Sequence, residues 1–221
     1  MTIPYNSLPS YNELFIKYIE SFESLKKFYD YNYSSDEDFL KCIEHKKQNY
    51  LSGKNFFRND ICEILRIQNE KFNSSGKTFE NIKLLGEHDT FVVITGQQLG
   101  MLTGPYYTIL KAINTIQLSS TLNKKYTGYK FVPVFWLESD DHDFLEINNI
   151  NIITKDNDLK NIKYFEKGEQ SEKYLKPAGN ILLDEHIDNF INELEDSLTK
   201  TEFTEALFDQ IKNSYKTGVD F

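Results

Sequence analysis

Two short stretches hold most of the side chains that can do chemistry. The first runs Thr95-Gly96-Gln97-Gln98 and continues through Gly100, Thr103, Gly104, Tyr107 and Lys111. Glycine-rich turns between a strand and a helix suit anions, because unpaired amides and the helix dipole point at the ligand. Gly96, Gly100 and Gly104 remove side-chain bulk, so backbone can approach closely. The spacing matches neither GxGxxG nor the GxxxxGK pattern of phosphate-binding loops, so it does not by itself specify a nucleotide. Gln97 and Gln98 offer amide donors and acceptors to a polar substrate. Lys111 can neutralise a carboxylate or phosphate from the second turn of the helix, or it can be an ordinary solvated lysine.

The second stretch is Ser139-Asp140-Asp141-His142-Asp143. Carboxylates around an imidazole raise its pKa and fix its tautomer, which suits a general base near neutral pH. The same residues could hold a divalent metal, but no second His or Cys cluster lies nearby in sequence, and no metal is assigned. For the acids the competing reading is a helix N-cap, with Ser139 or Asp140 capping and the carboxylates stabilised by the dipole. That reading is preferred for the acids singly. For His142, directly after an apolar strand, function is preferred, with Asp141 or Asp143 orienting the ring.

These residues need elements to hold them. Phe91 to Thr95 is β-branched and aromatic, as in a buried strand. Pro105 suits the first helical position, and Tyr106, Ile109, Leu110, Ile113 and Ile116 then define one apolar helical face. Tyr107, Lys111 and Asn114 share another face. Phe131 to Leu137 is a second apolar run, too short for a helix. Strand, crossover helix and strand make a βαβ unit with parallel strands. Ligands of such sheets bind beyond the carboxyl ends of the strands. Both chemically rich stretches therefore fall on one rim.

Composition narrows the class. The 221 residues suffice for a sizeable core, as one large domain or one with an appendage. A net charge of −9 and a pI near 5.0 argue against nucleic acid or an anionic membrane as partner. Cys42 and Cys62, without a CxxC, form neither a disulfide scaffold nor a structural zinc site. No signal peptide and no membrane-length apolar run is seen, which leads to the expectation of a cytoplasmic protein.

Periodicity predicts helices over 11–29, with Ser10 and Glu13 as a capping box, and over 36–52, 59–72 and 78–85. The string of aromatics in this third reads as packing rather than a cofactor box. Residues 149–154 and 159–165 read as an antiparallel hairpin around Lys155–Asp158, and 168–179 as a loop. A short strand is expected over Ile181–Leu183. A helix follows through Ile187, Phe190, Ile191 and Leu194, and a last one through Phe203, Leu207 and Ile211. The fold class is thus α/β, a Rossmann-like parallel sheet core with a helical N-terminal segment. Two parallel strands are few for such a core, so it reads as an incomplete part of a longer fold. The expected division is 1–86 helical, 87–148 βαβ core, and 149–221 hairpin and helices, with the core continuing beyond the chain end.

The stretches TGQQLGMLTGPYYTILK (Thr95–Lys111) and PVFWLESDDHDFLEIN (Pro133–Asn148) resemble the bacillithiol biosynthesis cysteine-adding enzymes. Both are long, ordered and correctly separated, so the likeness is far more specific than a glycine pattern. It implies a Rossmann-like core with inserted segments and a coiled-coil region, found in a chain of greater length. It implies the last step of bacillithiol formation, joining cysteine through its carboxyl to the amine of glucosaminyl malate. The implied substrates are small molecules, cysteine and glucosaminyl malate, and the full-length form would be a homodimer. Gly96, Gln97, Gln98, Thr103, Gly104, Tyr107 and Lys111 would lie on the binding face, with Asp141, His142 and Asp143 across from them. Amide formation needs an activated carboxylate, so ATP or another activator is compatible, but the sequence identifies none. Two other readings stand beside this one: a nucleotide or sugar-phosphate binding module without ligase activity, and a truncated scaffold that catalyses nothing.

Overall fold

The computed structural model describes residues 3–9, 11–51, 53, 57–140, 143–164 and 176–221. The chain forms two compact units, Met1–Phe91 with Gly128–Lys130 and Val92–Thr127 with Phe131–Phe221.

The first unit is built on α1 (Glu13–Glu20), α2 (Asp36–Leu51), α3 (Arg58–Lys71) and α4 (Gly76–Leu85). Helix α1 is shorter than the expected 11–29. Its cap is Asn12, whose Oδ1 accepts the Leu14 amide at 2.8 Å; the expected cap, Ser10, lies outside the described residues. At Ser21 the backbone leaves the helical region, and a 3-10 turn over Phe22–Leu25 follows. That break turns Phe22 and Leu25 inward, where both are buried. The aromatics pack on one another, as expected: Tyr18 stacks on Tyr33 at 5.4 Å and meets Phe22 and Tyr29 edge-on. Nη1 of Arg58 donates to the carbonyls of Leu85 (2.7 Å), Glu87 (3.1 Å) and Thr90 (3.0 Å), satisfying backbone acceptors where α4 gives way to a strand.

The second unit holds most of β1 (Thr90–Gln98) and β2 (Lys130–Glu138), joined by α5 (Tyr107–Lys125). The strands pair side by side. Main-chain bonds run from Lys130 N to Asp89 O (2.9 Å) at one end and from Leu99 N to Glu138 O (3.1 Å) at the other, so both strands run the same way. The crossover is latched by Asn123 near the end of α5, whose amide bonds both main-chain groups of Phe131 at 2.7 and 2.9 Å.

The apolar face expected on α5 is not its buried face. Ile109, Leu110, Ile113 and Ile116 are exposed, while Thr108, Thr115, Ser119 and Leu122 are buried. Small hydroxyl residues can turn inward because Thr115 and Ser119 return their protons to the carbonyls of Lys111 and Thr115, four residues back.

After α6 (Phe144–Ile147), β3 (Asn149–Ile153) and β4 (Leu159–Lys163) form the antiparallel hairpin expected from their alternation. Helices α7 (His186–Ser197) and α8 (Thr204–Ser214) follow. Ile187, Phe190, Ile191 and Leu194 are buried as the spacing predicts, but in α8 the buried residue is Phe208, with Phe203 and Leu207 exposed. The expected strand at 181–183 is a single bridge, Leu182 to Asp220. Phe144, Ile162, Tyr164 and Phe208 share one core with the α7 side chains and with Met101. Much of the expected loop 168–179 lies outside the described residues. No described helix is long and apolar enough to cross a membrane.

Candidate functional site

The carboxyl ends of β1 and β2 adjoin, which brings Gly96–Gln98 and Glu138–Asp140 to one rim. Strand β1 runs three residues further than the apolar run predicts, taking Gly96, Gln97 and Gln98 into the strand. Gly96 is there because of a close approach. A Cβ on it would lie 2.7 Å from the Trp136 carbonyl oxygen and 2.9 Å from Trp136 Cβ.

The chain then makes a tight turn. Met101–Thr103 form a 3-10 turn, and Leu102 (φ 52°), Thr103 (φ 73°) and Gly104 (φ 70°) all stand at positive φ. Only Gly104 takes this conformation without strain; for Leu102 and Thr103 it costs on the order of 1–3 kcal/mol each. Gly100 and Gly104 nearly touch, since a Cβ on Gly100 would lie 2.8 Å from Gly104 Cα. Such strain persists only where the surroundings hold it. Met101 is fully buried in the core built by the hairpin and α7, and the Leu102 amide donates to the Tyr215 hydroxyl at 2.9 Å.

The turn delivers the chain into α5. Lys111 lies one turn beyond Tyr107, and its ammonium reaches back to β1. It donates to the Gly96 carbonyl and to Gln97 Oε1 (3.1 Å), with Nζ 5.6 Å from the centre of the Tyr107 ring. Gly96, Gln97, Tyr107 and Lys111, separated in sequence, are thus gathered at one point. The lysine is neither simply solvated nor wholly committed: two of its three N–H donors are engaged by these acceptors. Beneath the turn, the Thr108 hydroxyl is buried with no hydrogen-bond partner among the described residues, 4.0 Å from where a Gly104 Cβ would stand.

On β2, Glu138 organises the acidic turn. Its Oε1 accepts the Asp140 amide and its Oε2 accepts the Trp136 indole N–H, both at 3.1 Å. Ser139 turns toward Gly179, whose amide donates to the Ser139 carbonyl at 3.0 Å and whose Cα packs against its side chain. Asp143, rather than Ser139 or Asp140, occupies the N-cap position of α6, and its carbonyl accepts the Glu146 amide at 3.1 Å. The acids lie before a helix as expected, but the helix starts later. Asp141 and His142 lie outside the described residues. Among the described residues no group of His, Cys, Asp and Glu is arranged to hold a metal.

Sequence reasoning missed Thr108, Gly179 and Tyr215. Nothing local marks them: Tyr215 meets Leu102 across 113 residues.

The family model described as bacillithiol biosynthesis BshC, N-terminal Rossmann-like domain, matches residues 1–221. A protein of Chloroherpeton thalassium named "Putative cysteine ligase BshC" is 32% identical over 229 aligned positions, covering 100% of this chain and 39% of the relative. Proteins of the same name from Flavobacterium psychrophilum and Bacillus cereus are 37% and 34% identical, covering 67% and 86% of this chain and 28% and 34% of their own length. The chain therefore spans about two-fifths or less of these relatives.

Proposed function

Because the chain belongs to the bacillithiol biosynthesis BshC family, matching its N-terminal Rossmann-like domain throughout, we propose that it supplies the substrate-binding rim of a cysteine ligase. In this reading the ligase joins the carboxyl of cysteine to the amine of glucosaminyl malate. Gly96, Gln97, Gln98, Gly100, Thr103, Gly104, Tyr107, Lys111 and Ser139 bind the substrates or an anionic group on them. His142, oriented by Asp141 or Asp143, is the general base. The amine nitrogen attacks the activated carboxyl carbon, the activating group departs, and the amine proton passes to His142.

The observation that carries this reading is the Lys111 ammonium, held over Gly96 and Gln97 at the carboxyl end of β1. A cation fixed there, beside a turn rich in backbone amides, suits a carboxylate or phosphate. The three ties also give it a defined position before any ligand arrives.

The test is a mass-spectrometric assay for the cysteine adduct of glucosaminyl malate, run with this chain and with a family-length protein containing it. In the family-length protein His142→Ala should abolish the adduct while the circular dichroism spectrum is unchanged. Undiminished turnover would reject His142 as the base.

A further inference from the structure

We propose that Tyr215 is a positioning residue of this site. Its hydroxyl, carried in from the end of α8, holds the left-handed Leu102–Gly104 turn and so sets where Thr103, Gly104, Tyr107 and Lys111 stand. The inference rests on the ligase reading for what the turn is for, but not for how the turn is held.

Two consecutive side-chain-bearing residues, Leu102 and Thr103, occupy the left-handed region, and each would relax away if nothing opposed it. The chain before them is pinned, because Met101 is fully buried. The chain after them is committed to α5 through the Thr108 amide, which bonds Pro105 O at 2.8 Å. Between these fixed ends the Leu102 amide needs an acceptor, and the Tyr215 oxygen accepts it at 2.9 Å. Tyr215 is itself held: it stands at the C-cap of α8, its amide bonds Ile211 O at 2.8 Å, and it packs against the core that buries Met101. The path runs from α8 through one phenol oxygen to the turn, and from the turn to Lys111. No residue between Tyr215 and the turn is needed to carry it.

Tyr215→Phe removes that oxygen and keeps the ring. Amide hydrogen exchange and thermal unfolding are measured on this chain, and kcat and KM in a family-length protein containing it. The expected result is at least tenfold faster exchange at Leu102 with an unfolding midpoint nearly unmoved. With it, kcat/KM should fall at least tenfold, and adding Leu102→Gly, which adopts the left-handed conformation unaided, should restore part of that loss. Undisturbed exchange at Leu102 overturns the proposal. So does faster exchange with unaltered kcat/KM, and so does a Tyr215→Phe chain that fails to fold, since the role would then be structural. If the unsubstituted family-length protein forms no adduct, the ligase reading fails. Leu102 exchange then judges the proposal alone, with faster exchange supporting it and unchanged exchange rejecting it.

Discussion

Arg58 places one guanidinium nitrogen against three main-chain carbonyls, those of Leu85, Glu87 and Thr90, while its Cζ lies 4.9 Å from the centre of the Tyr50 ring. Alanine removes the donor and strands these acceptors. Arg58→Ala should lower stability by about 2 kcal/mol, read from urea denaturation of this chain, because bonds from a charged donor to two partly buried acceptors and one exposed one are lost together. Gly96→Ala should act through crowding rather than loss. A Cβ 2.7 Å from the Trp136 carbonyl forces the two strands apart, with an expected destabilisation of about 1–3 kcal/mol by the same method. Two phenols give a pH prediction. Burial pushes Tyr164 well above the ordinary tyrosine range, and it raises Tyr215, opposed in part by the amides of Leu102 and Thr103. Both hold their protons more tightly folded than unfolded. Their contribution is fully present below the ordinary tyrosine pKa of about 10 and is lost as pH rises through the folded values. The urea midpoint should therefore fall above about pH 10. Tyr164→Phe should make that fall less steep; an unchanged alkaline slope would remove Tyr164 from the explanation.

At the level of elements, the glycine-rich turn is held by parts of the chain that come long after it. Met101 is buried in the core formed by the hairpin, α6, α7 and α8, so that core props the turn from behind. Met101→Ala should lower the stability of the chain by about 2–4 kcal/mol, measured by thermal or urea unfolding, and it should loosen the turn with it. What could be read from the sequence was what local pattern encodes. The β3–β4 hairpin followed from alternation around Lys155–Asp158, and the buried side of α7 from Ile187, Phe190, Ile191 and Leu194. The Rossmann-like core followed from the order of the apolar runs and from two motifs, and the family match supports it. What could not be read depends on partners distant in sequence. Helix α5 hides Thr108, Thr115 and Ser119 and shows its isoleucines, an inversion that hydrophobic spacing alone cannot reveal. In α8 the burial falls on Phe208 rather than Leu207, a shift of one residue on the helix wheel that only packing decides. At the candidate site, neither the reach of Lys111 back to Gly96 and Gln97 nor the cap at Asp143 could be read from local pattern.

At the scale of the molecule, a two-stranded sheet leaves much apolar surface open. Val92, Ile94, Trp136 and Leu137 on the strands are each at least half exposed, as is Ile116 on α5. Concentrated apolar exposure of this kind is uncommon on a finished surface. Trp136 is the single tryptophan and stands 60% exposed, so it reports on this region without interference. Its emission should be that of a hydrated indole and should be readily quenched by acrylamide. A family-length protein in which Trp136 is kept as the sole tryptophan should give a blue-shifted, protected signal where additional structure covers the sheet. The close contact at Gly96 bears on how the molecule reaches this arrangement. Pairing two strands across an intervening helix is a slow, non-local search among alignments. Sliding β1 by two residues would bring Ile94 or Gln98 to the place where no Cβ fits, and sliding it by one would turn its other face inward. The missing side chain at Gly96 thus works as a keyway: it admits one alignment and turns the others away before the rest of the fold can close on a mistake.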